Sequence, residues 1–241
     1  MKLGIDAMGK WLPLETRGDY AFILAQYWKK KQYREHFMEH RCGRRMAIVD
    51  NGVYEGETIT WKKYVQIIRE VTRHYPETYY ILPDVLYDHE KTVEKSQRFL
   101  GKYQVEAEPV FVCQTARISQ CIEYAERHDI EMIALPIWME RELRGIRTLM
   151  TRRLVYEDFK VHLLGLDRVS ELVETRELAY SVDTSLPLTL AKNNVRYIDY
   201  ETMYRLPRIT WDDEPTVEQI RLALRHIRVF RRILGDSRWL M

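Results

Sequence analysis

Cysteine is scarce and unpatterned in this chain: Cys42, Cys113 and Cys121 are an odd number, with no C-x-x-C among them. A disulfide scaffold and a cysteine-rich zinc site are therefore not expected, and a reducing cytoplasm is the expected setting. No apolar run approaches the roughly 18 residues of a membrane span. The opening Met1-Lys2-Leu3-Gly4-Ile5-Asp6 has too few apolar residues for a signal peptide. No G-x-G-x-x-G follows a strand-like run, and there is no Walker loop and no G-x-S-x-G elbow. The seven histidines include no H-x-H and no H-E-x-x-H, so a metal hydrolase has little support. No lysine closes a strand-like run, which argues against a Schiff-base aldolase. No cofactor is expected.

What is present suits one large folded unit. The 241 residues are 46% hydrophobic and 31% charged, enough to fill a core beneath a solvated surface. The formal net charge is only +2, which does not announce a nucleic-acid binder, although arginine clusters locally. Short apolar runs at 2–5, 46–50, 79–82, 109–113, 132–135, 161–164, 178–182 and 195–198 read as strands. Helical periodicity fills the gaps at 19–40, 61–74, 90–103, 119–128, 141–157 and 169–176, and a last helix covers 217–234. This alternation predicts parallel strands with helical crossovers, hence a (β/α)8 TIM-type barrel plus a C-terminal helix, as one domain over 1–241. The segment 204–215, with Pro207 and Pro215, sets off that terminal helix at about 216–235.

The strand ends carry the chemistry. Met46-Ala47-Ile48-Val49 runs into Asp50-Asn51-Gly52, Ile81-Leu82 into Pro83-Asp84, Val112-Cys113 into Gln114, Leu163-Leu164 into Gly165, and Val182 into Asp183. Each alone could begin a turn or cap a helix. In a barrel they converge on the C-terminal face, where such sites lie. Paired carboxylates can divide a glycosyl transfer between nucleophile and acid/base. A carboxylate beside a carboxamide can match the donors and acceptors of a nucleobase edge. Cys113 reads as core, and Asp88 and His89 as helix-capping residues.

These stretches, in this order, resemble the guanine transglycosylases, which exchange guanine for a 7-deazaguanine base in tRNA or DNA. Asp50-Asn51-Gly52-Val53-Tyr54-Glu55 is similar to the family's Asp-Ser-Gly-Gly-Phe-Gln, and Val112-Cys113-Gln114 to its Val-Gln-Gly. His162-Leu163-Leu164-Gly165 is similar to its Tyr-Leu-Met-Gly, and Asp183-Thr184-Ser185-Leu186-Pro187 to its nucleophile motif Asp-x-x-x-Pro-Thr-Arg. The resemblance implies that Asp183 is the nucleophile and Asp50 the general acid/base. It implies that Asn51, Gly52, Tyr54, Asp84, Gln114, Leu135, Pro136, Ile137, Leu164 and Gly165 bind the base, Tyr54 and Leu164 on its two faces. Val53 stands where the family has glycine. The family's tRNA enzymes carry a zinc site after the nucleophile and a longer chain; neither is here. The resemblance therefore leans to the compact, zinc-free branch that modifies DNA, including versions encoded by bacteriophages.

A polyanionic substrate needs cations. Arg221, Arg225, Arg228 and Arg232 recur at helical spacing on the last helix, and Arg141, Arg144, Arg147, Arg152 and Arg153 form a second cluster. Lys29, Lys30, Lys31 and Arg34 form a third. The last-helix stripe with Arg144 and Arg147 is the expected nucleic-acid surface, and DNA the expected partner beside a 7-deazaguanine base. A duplex base would have to flip out to reach a barrel mouth. The alternatives are a tRNA-guanine transglycosylase, a nucleoside deoxyribosyltransferase, and a non-catalytic nucleic-acid-binding barrel.

Overall fold

The computed structural model describes residues 1–39, 43–53 and 59–235. In chain order its elements are β1 (Lys2–Ile5), β2 (Ala21–Leu24), α1 (Lys31–Glu39), β3 (Met46–Asp50), α2 (Trp61–Thr72), β4 (Glu77–Ile81) and α3 (His89–Lys102). There follow β5 (Glu108–Val112), α4 (Ile118–Arg127), β6 (Met132–Pro136), α5 (Ile137–Glu142), α6 (Ile146–Tyr156) and β7 (Lys160–Leu164). The chain closes with α7 (Val169–Thr175), β8 (Ser181–Thr184), α8 (Leu186–Lys192) and α9 (Val217–Ile233). Two 3-10 segments, Gly9–Arg17 and Ala25–Lys29, flank β2.

All strand pairings are parallel, in the order β1-β8-β7-β6-β5-β4-β3-β2, and a single parallel bridge from Gly4 to Tyr20 links the two ends. The fold is a nearly closed (β/α)8 TIM-type barrel. Its strands lack polar alternation because both faces are covered: Met46, Ala47, Ile48 and Val49 are all buried, as are Met132 through Pro136. Helix starts are set locally. Thr60, Asp88 and Thr216 accept from the third backbone N–H beyond them, and Thr216 with Gln219 forms a full capping box. Asp88 is thus the cap that its sequence position suggested.

Three sequence expectations are corrected. The 19–40 stretch is not one helix but β2, a 3-10 turn and α1. The run 195–198 forms no strand; it is irregular chain whose Val195 carbonyl is bonded by His226 Nε2 of α9 at 2.8 Å. The 141–157 helix is split into α5 and α6. Strand number survives because the missed β2 replaces the false strand.

A fourth correction concerns cysteine. Cys113, at the end of β5, is disulfide-bonded to Cys121 of α4, with Cα atoms 5.7 Å apart. Spacing rules miss such a pair because a strand–helix turn folds residues eight apart onto each other. Thiol titration of the unfolded, unreduced protein is expected to give one thiol per chain, and three after reduction. Three thiols before reduction would show that the bond does not form. No helix among the described residues is long and apolar enough to cross a membrane.

Candidate active site

At the C-terminal face of the barrel a cavity of about 510 Å³ is walled by Asp6, Asp50, Asp84, Gln114, Gly165 and Asp183, among others. That volume lies within the range of small-molecule sites. Parallel register delivers the side chains: Asp183 lies opposite Gly4 and Asp50 opposite Leu24, each at or next to its strand's last residue.

Asp183 is nearly buried and held through one oxygen. Its Oδ1 accepts from the backbone N–H of Gly165 at 3.0 Å and lies 3.3 Å from Nε2 of fully buried His162. His162 Nδ1 in turn shares a 2.9 Å hydrogen bond with Ser181 Oγ inside the barrel. Gly165 has φ +73°, which a side chain would strain, and this left-handed turn aims its N–H at Asp183. Both terminal nitrogens of Arg147 bond the Gly165 carbonyl at 3.1 Å, fixing the next peptide of the same turn.

Asp50 Oδ1 accepts from Gly52 N at 2.9 Å, and Asn51 Oδ1 from Val53 N at 2.9 Å. The Asp is therefore a turn residue and a cavity residue at once. Gly52, at φ +76°, packs so closely on the Gln26 amide that a Cβ would collide with it.

Asp84 sits between two amides. Asn51 Nδ2 donates to Oδ1 at 2.9 Å, and Gln114 Nε2 donates to Oδ2 at 2.7 Å. Burial pushes the Asp84 carboxyl above its ordinary range, while these two donors pull it down. A carboxylate offers about four lone-pair positions, so two remain for a ligand's donors. Gln114 is more committed than its sequence suggested. Its Oε1 accepts from Trp138 Nε1 at 2.7 Å and from Tyr87 N at 3.1 Å, which leaves only an amide proton for a ligand.

Of the residues singled out from sequence, Asp50, Asn51, Asp84, Gln114, Pro136, Ile137, Leu164, Gly165 and Asp183 line one cavity, with Val53 beside them. Gly52 and Leu135 do not; Leu135 is fully buried in β6, opposite Leu163 of β7. Tyr54 lies outside the described residues. The expected arginine surface is corrected at Arg147, while Arg141 of the same cluster lines the cavity and bonds Asp167. Arg147 is fully buried, 3.1 Å from equally buried Glu171, and is no surface cation. Arg144 is exposed and paired with Glu201. Arg221, Arg225, Arg228 and Arg232 are exposed on α9. The helix descends the barrel wall, however, and neighbouring Arg231 bonds the Arg17 carbonyl and Asp19 near the start of β1. Arg228 and Arg232 therefore lie toward the floor, away from the cavity.

The sequence reading missed Asp6, Tyr204, Arg205 and Arg208, all on the cavity wall. Asp6 carried the same signal as Asp50: a short apolar run ending in aspartate. Arg205 and Arg208 carried none, because their place depends on how segment 200–208 is pinned. The Asp167 carbonyl accepts from Tyr204 N at 2.8 Å, and the Tyr200 carbonyl from Ser170 N at 2.8 Å.

Behind the site, Arg168 is buried and paired with Glu140 and Glu174. Burial drives Glu171 up to about 7, against the pull of Arg147 and Arg168. The 3.1 Å Arg147 contact is not aligned as a hydrogen bond, so it offsets the desolvation only in part. Since the ordinary value is 4.5, the folded state binds this proton more tightly than the unfolded chain does. The stabilisation is full below about pH 4.5 and is lost as pH rises through about 7, up to about 3 kcal/mol in all. Urea unfolding of Glu171→Gln should lack this loss between pH 4.5 and 7.5; identical pH slopes in variant and wild type would refute it.

No protein-family model matches this sequence, and no curated protein matches it.

Proposed function

We propose that the chain is a DNA guanine transglycosylase, exchanging guanine for a 7-deazaguanine base by double displacement on Asp183. The observation that carries this reading is the convergence of Asp183, Asp50, Asp84 and Gln114 on one cavity of about 510 Å³. The order of the strand-end stretches, and their resemblance to guanine transglycosylases, supports it.

In the first displacement Asp183 Oδ2 attacks C1′ of the target nucleoside, since Oδ1 is held by Gly165. The C1′–N9 bond breaks, an ester joins Asp183 to the sugar, and Asp50 in its acid form gives its proton to the departing guanine. In the second, Asp50 takes the N9 proton of the incoming 7-deazaguanine. Its nitrogen attacks C1′, and the ester bond breaks to regenerate Asp183. Charge and protons balance over the cycle. The two free positions on Asp84 suit N1–H and the exocyclic amine of a guanine-like base, and the remaining Gln114 amide proton suits an acceptor. Leu164 supplies an apolar face for the ring. Arg205 and Arg208, on the cavity wall, are better placed for phosphates than the α9 stripe.

The test incubates the protein with guanine-containing DNA and labelled guanine or a labelled 7-deazaguanine. Label entering DNA supports the proposal. Label entering tRNA alone would shift it to the tRNA enzyme, and exchange on free nucleosides alone to a deoxyribosyltransferase. No incorporation by folded protein with any of these overturns it.

A further inference from the structure

Beside the cavity, Tyr87 is an aromatic residue with two costs. The residue is 64% exposed, and its backbone sits at φ +62°. The other non-glycine residues at positive φ among those described are Asp129, Asp158 and Asn194, types that tolerate this region. A bulky ring there is strained, and such strain persists only where surrounding contacts enforce it. The enforcing contact is Gln114: its Oε1 accepts Tyr87 N at 3.1 Å and Trp138 Nε1 at 2.7 Å. The two rings thus stand together, centroids 5.2 Å apart and planes 59° apart. Their chain neighbours Leu86 and Ile137 line the cavity, so the pair stands at its edge. Through Nε2 the same Gln114 amide holds Asp84 inside. One side chain therefore ties an exposed aromatic pair to the group that would read the base.

We infer that Tyr87 and Trp138 form a stacking platform for a nucleobase flanking the target nucleotide of single-stranded or flipped-out DNA. The inference rests on the proposed function and adds a second base to it. A flat apolar face suits any base, so the platform gives affinity and places the strand without selecting sequence. The exposed Tyr87 ring is kept in water for this contact, and Gln114 couples its position to Asp84.

Three variants test it by fluorescence anisotropy with a labelled guanine-containing single-stranded oligonucleotide, alongside calorimetry with free guanine. Tyr87→Gly relieves the backbone strain, so its Tm should equal or exceed wild type. Its oligonucleotide affinity should nonetheless fall by about 5- to 150-fold, the span measured for one base–aromatic stack. Tyr87→Phe keeps the ring and should bind the oligonucleotide as wild type does, and Trp138→Phe should retain most of the affinity. Guanine binding should be unchanged in Tyr87→Gly. Equal oligonucleotide affinity for Tyr87→Gly and wild type overturns the platform, as does a wild-type protein that binds no oligonucleotide. The exchange assay reports separately. Exchange without dependence on Tyr87 removes the platform alone; Tyr87-dependent binding without exchange removes the transglycosylase reading alone.

Discussion

Asp183→Ala is expected to abolish base exchange, a loss of about 10⁴-fold or more, because a displacement without its nucleophile has no covalent intermediate to pass through. The fold should survive the change. Asp183 lies at the strand end, and truncation removes one acceptor from Gly165 and the carboxylate beside His162. Asp183→Asn is the sharper variant: it keeps an oxygen for the Gly165 N–H and the side-chain shape, but loses the charge and the nucleophilic oxygen. With wild type, an oligonucleotide stalled without incoming base should remain joined to the protein on a denaturing gel. With Asp183→Asn no such band should form. A variant that still exchanges bases at a tenth of the wild-type rate would place the chemistry on another carboxylate of the wall, such as Asp50 or Asp6.

The sequence revealed whatever is encoded locally. Parallel strands covered on both faces must be short and continuously apolar, so Met46–Asp50 and Met132–Pro136 stood out within a residue of their observed ends. Ala21–Leu24 is as apolar, but lysines, arginines and aromatics on either side gave the longer stretch a helical look. The terminal carboxylates Asp50, Asp84 and Asp183 were readable because a strand end in a barrel faces the mouth. Properties that depend on partners distant in sequence were not. Arg147 looks like any arginine in a basic helix, and its burial follows from Glu171 and the Gly165 carbonyl, 24 and 18 residues away. Gln114 was found, yet its task as a clamp on Tyr87 and Trp138 was hidden, since nothing in a glutamine shows which partners its oxygen has already met.

Arg147→Met should destabilise the protein by about 3–5 kcal/mol at pH 8, because it strips the buried guanidinium from both Glu171 and the Gly165 carbonyl. For a chain of this size that corresponds to a fall in Tm of roughly 6–20 °C. The loss should shrink at pH 5, where Glu171, already raised to about 7 by burial, holds its proton and needs no cation. Pairing the change with Glu171→Leu removes both buried charges and should restore much of the Tm. It cannot restore the second task of Arg147, the two 3.1 Å bonds that hold the Gly165 carbonyl while the Gly165 N–H holds Asp183. The double variant should therefore regain stability without regaining turnover, with kcat reduced and KM for the oligonucleotide near wild type. A double variant that recovers both would limit Arg147 to neutralising Glu171. One whose KM alone rises would return Arg147 to nucleic-acid binding, despite its burial.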